Sequence, residues 1–143
     1  MADALNILMA EDNRINARVA EAMLVRDGHS VTIVSDGRSA IEAAAKRVWD
    51  LILMDIQMPK VCGLEATRQI RRREKGSGEH VAIVALTANA TSEDRRRCLD
   101  AGMDGYVSKP VQRERLLCEI RTVLRQLGRR AIPAEFPKRQ IAS

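Results

Sequence analysis

Leu51-Ile52-Leu53-Met54-Asp55 is a run of four apolar residues closed by a carboxylate. A half-buried strand alternates apolar and polar side chains. An unbroken run therefore predicts a strand covered on both faces, as in a parallel sheet flanked by helices. Moving outward, the same pattern recurs: residues 5–10, 31–34, 81–86 and 106–108 read as further short strands. Longer amphipathic stretches separate them. Residues 15–27 predict a helix stopped by Gly28, and residues 39–47 a second one after the Asp36-Gly37 turn. Residues 64–75 form a third, ended by Gly76-Ser77-Gly78. A fourth starts near Thr91 or Ser92, where Glu93 and Asp94 suit the positive end of the helix dipole, and Gly102 stops it. Residues 113–127 complete the set, with Leu116, Leu117, Ile120, Val123 and Leu124 as the apolar stripe. Five strands alternating with five helices predict an α/β doubly wound fold with a five-stranded parallel sheet over residues 1–127.

The remainder of the 143-residue chain, 128–143, loses this periodicity and carries Pro133 and Pro137, so it reads as a flexible basic tail. Four basic residues there face one acidic residue. The tail thus holds +3 of the net charge of +5 and leaves the body close to balanced. The clusters Arg71 to Arg73 and Arg95 to Arg97 lie on predicted helices beside acidic neighbours, so they read as solvated faces with no direct nucleic-acid contact. No segment is apolar over the length needed to cross a bilayer. Cys62, Cys98 and Cys118 are an odd number without metal-ligand spacing, which suits reduced thiols in a cytoplasmic protein.

Ligands of open parallel sheets bind beyond the carboxyl ends of the strands. Glu11 and Asp12 follow the first predicted strand, Asp55 ends the third, Thr87 the fourth and Lys109 the fifth. Individually each has a plainer reading, as a helix cap, a strand-end cap or a surface turn. Together they gather the parts of phosphoryl chemistry at one edge: carboxylates, a hydroxyl and a point charge. Carboxylates crowded into one pocket repel one another unless a cation joins them. Oxygen donors with no His or Cys pair favour Mg²⁺ over zinc.

On these residues the sequence resembles the receiver domains of two-component response regulators and hybrid sensor kinases. The matching stretches are Ile7-Leu8-Met9-Ala10-Glu11-Asp12-Asn13, Leu53-Met54-Asp55-Ile56-Gln57-Met58-Pro59, Ala85-Leu86-Thr87-Ala88-Asn89-Ala90 and Gly105-Tyr106-Val107-Ser108-Lys109-Pro110. The resemblance implies a flavodoxin-like (βα)5 fold with strand order 2-1-3-4-5. It implies Asp55 as phosphoacceptor, with Mg²⁺ held by Asp12, Asp55 and the backbone carbonyl of Gln57, and by Glu11 through water. Lys109 is expected to pair with Asp55 or its phosphate, before a cis bond to Pro110. Thr87 and Tyr106 form the implied switch pair, biasing the surface of the fourth helix, fifth strand and fifth helix toward a downstream protein. The implied donor is a histidine kinase or histidine phosphotransfer domain, docking partly on Ile15, Arg18, Val19 and Met23. Such a domain is no enzyme beyond its own phosphorylation and dephosphorylation. Gln57 and Asn89 occupy positions that influence phosphate lifetime in the family, and Cys62 stands where an acidic residue is frequent.

Competing readings fail on particular residues. A haloacid-dehalogenase-like phosphatase needs a carboxylate two residues after its nucleophile, and that position holds Gln57. A dinucleotide module needs a glycine-rich loop where this chain has Glu11-Asp12-Asn13-Arg14. A pseudo-receiver acting only as an interaction module is the remaining alternative, although none of the charged residues is missing. Sixteen residues after Leu127 are too few for a DNA-binding effector. The chain is thus expected to be a stand-alone receiver or part of a larger hybrid kinase, with the Thr87 segment favouring the latter.

Overall fold

The computed structural model describes residues 4–88 and 91–128. Its elements alternate without exception: β1 (Asn6–Ala10), α1 (Arg14–Arg26), β2 (Ser30–Val34), α2 (Gly37–Lys46), β3 (Leu51–Asp55), α3 (Gly63–Glu74), β4 (Ala82–Thr87), α4 (Ser92–Ala101), β5 (Gly105–Ser108) and α5 (Arg113–Gln126). All strand pairs are parallel, in the order β2-β1-β3-β4-β5, so the fold class and topology match the sequence expectation. The expected tail falls, apart from Gly128, outside the described residues. Among those residues no helix is long and apolar enough to cross a membrane.

Strand side chains alternate between two cores because successive residues point to opposite faces. Ile7, Met9, Leu51, Leu53, Val84 and Leu86 pack against Leu24 of α1 and Leu116 and Ile120 of α5. Leu8, Ala10, Ile52, Met54, Ile83 and Ala85 pack against Ala40, Leu64, Ile70 and Cys98, from α2, α3 and α4. Every residue of β3 is buried, which explains why its sequence shows no polar alternation.

Caps fix the helix starts. Asn13 Oδ1 accepts from the Asn16 amide at 2.9 Å, Asp36 Oδ1 from the Ser39 amide at 2.7 Å and Thr91 Oγ1 from the Asp94 amide at 3.1 Å. Because Asp36 caps, α2 begins at Gly37, two residues earlier than its apolar pattern suggests. At α3 the capping position belongs to Cys62, whose side chain makes no cap hydrogen bond. Gly102 closes α4 with φ 107°, a conformation that costs glycine little.

The arginine clusters separate. Arg72 and Arg73 are exposed, but Arg71 is half-buried and ties α3 to the α4–β5 connection. Its guanidinium donates to the Gly102 carbonyl at 2.8 Å, Glu74 Oε1 at 2.7 Å and Asp104 Oδ2 at 2.8 Å. The expectation of a fully solvated face is corrected at this residue. Helical spacing from Leu64 and Thr67 sets Arg71 on the inner stripe of α3.

Candidate functional site

Parallel pairing brings the carboxyl ends of β1, β3, β4 and β5 to one edge of the sheet, and each sequence-predicted polar residue sits there. Glu11 and Asp12 follow β1, and Asp55 and Thr87 are the last residues of β3 and β4. Lys109 follows β5, its amide donating to the Thr87 carbonyl at 2.7 Å. Its peptide bond to Pro110 is cis. Glu11, Asp55 and Thr87 are buried, at 3%, 4% and 5% exposure, whereas Asp12 is open to solvent. They line an open cleft of about 910 Å³ that also includes Gln57 and Met58.

Lysine bridges the carboxylates. Lys109 Nζ lies 3.0 Å from Asp55 Oδ2 and 3.0 Å from Glu11 Oε1. The second oxygen of each acid takes a backbone amide: Gln57 N–H to Asp55 Oδ1 at 3.2 Å, and Asn13 N–H to Glu11 Oε2 at 3.0 Å. Both acids are thereby aimed by the loop that follows them. Burial pulls the Lys109 pKa down, but the hydrogen bonds and charges of Asp55 and Glu11 outweigh it, so the ammonium is held more firmly than usual. Burial pushes the Glu11 carboxyl up. Lys109 opposes that shift, and Asp55 adds to it.

Glu11, Asp12 and Asp55 each offer an oxygen within 4.8 Å of the others. Three carboxylates against one ammonium leave the pocket short of positive charge. The donors are oxygens only, with no His or Cys in the group, and one of the three faces solvent. That set fits a hard divalent cation which keeps part of its water shell.

Tyr106 is half-buried on β5, where it pairs in register with Ala85, and it packs on the second core. The Arg95 guanidinium stacks on its ring, 4.9 Å from the centroid. Its amide donates to Glu119 Oε2 at 3.1 Å, across Gly105, where a Cβ would overlap that carboxylate. Sequence reasoning missed Arg95 and Glu119 as neighbours of Tyr106, because nothing local in the chain pairs residues 11 and 13 positions away. It also missed why Gly63 must be glycine. A Cβ there would overlap the Asp55 carbonyl oxygen, while the Gly63 amide donates to the Ile56 carbonyl at 2.8 Å. Ile15 and Val19, expected on a docking surface, are exposed at 74% and 47%.

With this geometry in hand, comparison with known proteins is specific. The family model for the response regulator receiver domain matches residues 7–121. Probable histidine kinase 1 of Oryza sativa subsp. indica is 41% identical over 134 residues, covering 73% of this chain and 14% of that protein. Hybrid signal transduction histidine kinase I of Dictyostelium discoideum is 42% identical over 119 residues, covering 80% of this chain and 7% of that protein. The chain thus spans only a small part of these relatives. Among solved structures, the receiver domain of the sensor histidine kinase PA1611 from Pseudomonas aeruginosa PAO1, with a magnesium ion coordinated in its active site cleft, is 44% identical. Its TM-score is 0.75, with 88% of this chain and 99% of that one covered. The co-crystal structure of the Saccharomyces cerevisiae histidine phosphotransfer protein Ypd1 with the receiver domain of Ssk1 also matches. Identity is 35% and the TM-score 0.75, covering 81% of this chain and 86% of the matched one.

Proposed function

This chain belongs to the response regulator receiver domain family of two-component and phosphorelay systems, and from that premise we propose that it takes up a phosphoryl group on Asp55 from a phosphohistidine. The observation that carries the reading is the Lys109 ammonium held between the buried carboxylates of Asp55 and Glu11. In the transfer, the phosphorus–nitrogen bond of the donor histidine breaks and its electron pair stays on the imidazole, while an Asp55 oxygen forms the new bond to phosphorus. Asp12, Asp55 and the Gln57 carbonyl are the groups that would hold Mg²⁺, with Glu11 acting through water. A bound Mg²⁺ supplies positive charge that lets the carboxylates stay ionised beside an incoming phosphate.

The chain's own residues do the rest. Lys109 is already at the acceptor and can follow the charge from carboxylate to phosphate oxygen. Thr87 stands at the end of the neighbouring strand, where its hydroxyl can donate to a phosphate oxygen. Tyr106 follows it as the second switch residue, so that the α4-β5-α5 surface changes its preference for a downstream protein. Beyond its own phosphorylation and dephosphorylation the domain catalyses nothing in this reading. Residues 1–127 are the functional unit, and the protein works in the cytoplasm. The donor is a histidine kinase or a histidine phosphotransfer protein approaching over Ile15 and Val19. The company of hybrid kinases among the relatives favours a role inside such an assembly.

Intact-mass spectrometry after incubation with acetyl phosphate and Mg²⁺ tests this directly. Wild type gains one phosphoryl mass, dependent on Mg²⁺, and Asp55→Asn gains none. An equal gain in Asp55→Asn would remove the assignment, and a wild type that never gains mass would favour a pure interaction module.

A further inference from the structure

Two glycines give room to backbone carbonyls at the ends of the loop between β3 and α3. At Gly63 the missing Cβ admits the Asp55 carbonyl, and at Gly37 it admits the carbonyl of Val61. Gly37 is the first residue of α2, eighteen positions before Asp55 in sequence, and it does not line the cleft. We propose that Gly37 is a positioning residue for the phosphorylation site: by seating the Val61 carbonyl it sets the path of residues 56–62, and so the place of Gln57 beside Asp55. This rests on the reading of Asp55 and its neighbours as a cation-dependent acceptor site.

The loop has no slack to absorb a displacement. Its far end is fixed where Gly63 N–H meets the Ile56 carbonyl at 2.8 Å, and its near end where Gln57 N–H meets Asp55 Oδ1 at 3.2 Å. Between Gln57 and Val61 stand Met58, Pro59 and Lys60. Proline holds its φ fixed. The Val61 amide turns back onto the Pro59 carbonyl at 2.8 Å. Lys60 is already at φ 69°, a left-handed conformation uncommon for a residue with a side chain. Its ammonium reaches back toward Asp36 Oδ2 at 3.7 Å, and Asp36 is the residue that caps α2. The α2 start therefore holds the loop by a backbone contact at Gly37 and a side-chain contact at Asp36.

A Cβ at residue 37 would overlap the Val61 carbonyl oxygen, and the obstacle is backbone that cannot rotate away. With the loop tied at the Gly63–Ile56 and Gln57–Asp55 hydrogen bonds, the shift is handed along the short loop to Gln57.

Isothermal titration with Mg²⁺ reads this without any phosphorylation. Gly37→Ala should bind Mg²⁺ about tenfold more weakly, the scale of losing support behind a metal ligand. Lys60→Val, which cannot hold the left-handed turn comfortably, should weaken binding in the same direction and leave the buried core untouched. Gly76→Ala is the control: Gly76 is at φ 85° with open space around it, so alanine there strains the chain after α3 without reaching the loop. Its Mg²⁺ affinity should equal wild type. Unchanged affinity in a folded Gly37→Ala, or an equal loss in Gly76→Ala, would overturn the proposal. If Gly37→Ala does not fold, Lys60→Val decides alone, with unchanged affinity overturning and weakening supporting it. A wild type that shows no Mg²⁺ binding would instead strike the acceptor-site reading itself.

Discussion

Each edge of the sheet carries a cluster of charged side chains, and the two clusters are built on opposite principles. At the amino edge, Asp104 Oδ2 accepts from Arg71 at 2.8 Å and from the Ile83 amide at 2.9 Å, and Oδ1 meets His80 Nε2 at 2.8 Å. Glu74 Oε1 accepts from Arg71 at 2.7 Å and Oε2 from the Val81 amide at 2.7 Å. Asp104 and Glu74 thus share the Arg71 guanidinium, Asp104 has His80 besides, and the cluster sews α3 to the strand starts. At the carboxyl edge, Glu11, Asp12 and Asp55 share one ammonium. A saturated cluster stabilises, whereas an undersupplied one has room for a cation and a phosphate. Ionic crowding alone does not mark a functional site; the shortage of positive charge does.

Breaking the amino edge should have the larger effect on stability. Arg71→Ala takes the guanidinium away from two carboxylates whose side chains are only 14% exposed, and should cost about 3 kcal/mol in urea unfolding. Mg²⁺ affinity should stay as in wild type, because the two edges share no partner. A joint loss of both would erase the distinction. Supplying the missing charge at the other edge should come next in size. Hundredfold excess of Mg²⁺ over its dissociation constant should raise stability by about 2.7 kcal/mol, read as a higher melting temperature. Asp55→Asn should flatten that response. A melting temperature indifferent to Mg²⁺ would mean that the carboxylates do not share a cation.

The contrast also shows what a sequence can disclose. The β3 run was readable because burial on both faces imposes a one-letter pattern, and strand ends in a parallel sheet must meet at one edge. Glu11, Asp55, Thr87 and Lys109 could therefore be grouped without coordinates. The amino-edge cluster had no such rule behind it. Arg71 shares a helical stripe with Thr67, yet its partners Gly102 and Asp104 lie 31 and 33 residues away, and charge repeats in the sequence hide which arginine turns inward. Gly37 was visible only as a turn residue. That its empty side-chain position seats the Val61 carbonyl is a fact of packing, which no local pattern encodes.

Acid should separate the edges by sign, with the smallest effect of the set. His29 lies at the amino edge, 4% exposed, with Nδ1 accepting from the Leu5 amide at 3.0 Å. Burial lowers its pKa from the usual 6.5, against the pull of Asp27 and Asp50. Below 6.5 the unfolded chain takes the proton first, so His29 contributes stability that is present above that pH and lost as pH falls through the lowered folded value. Glu11 works in the opposite direction. Burial, opposed by Lys109 and aided by Asp55, raises its pKa above 4.5. The native state then binds the proton first, giving stability that is full below 4.5 and lost as pH rises through the raised value. Urea unfolding across this range without Mg²⁺ should show His29→Gln relieving the acid loss and Glu11→Gln removing the opposing gain. Saturating Mg²⁺ should cancel only the second, since a bound cation keeps the carboxylates ionised. If Mg²⁺ altered the His29 limb as well, the two edges would be one coupled network, and neither the saturated nor the undersupplied cluster could be treated alone.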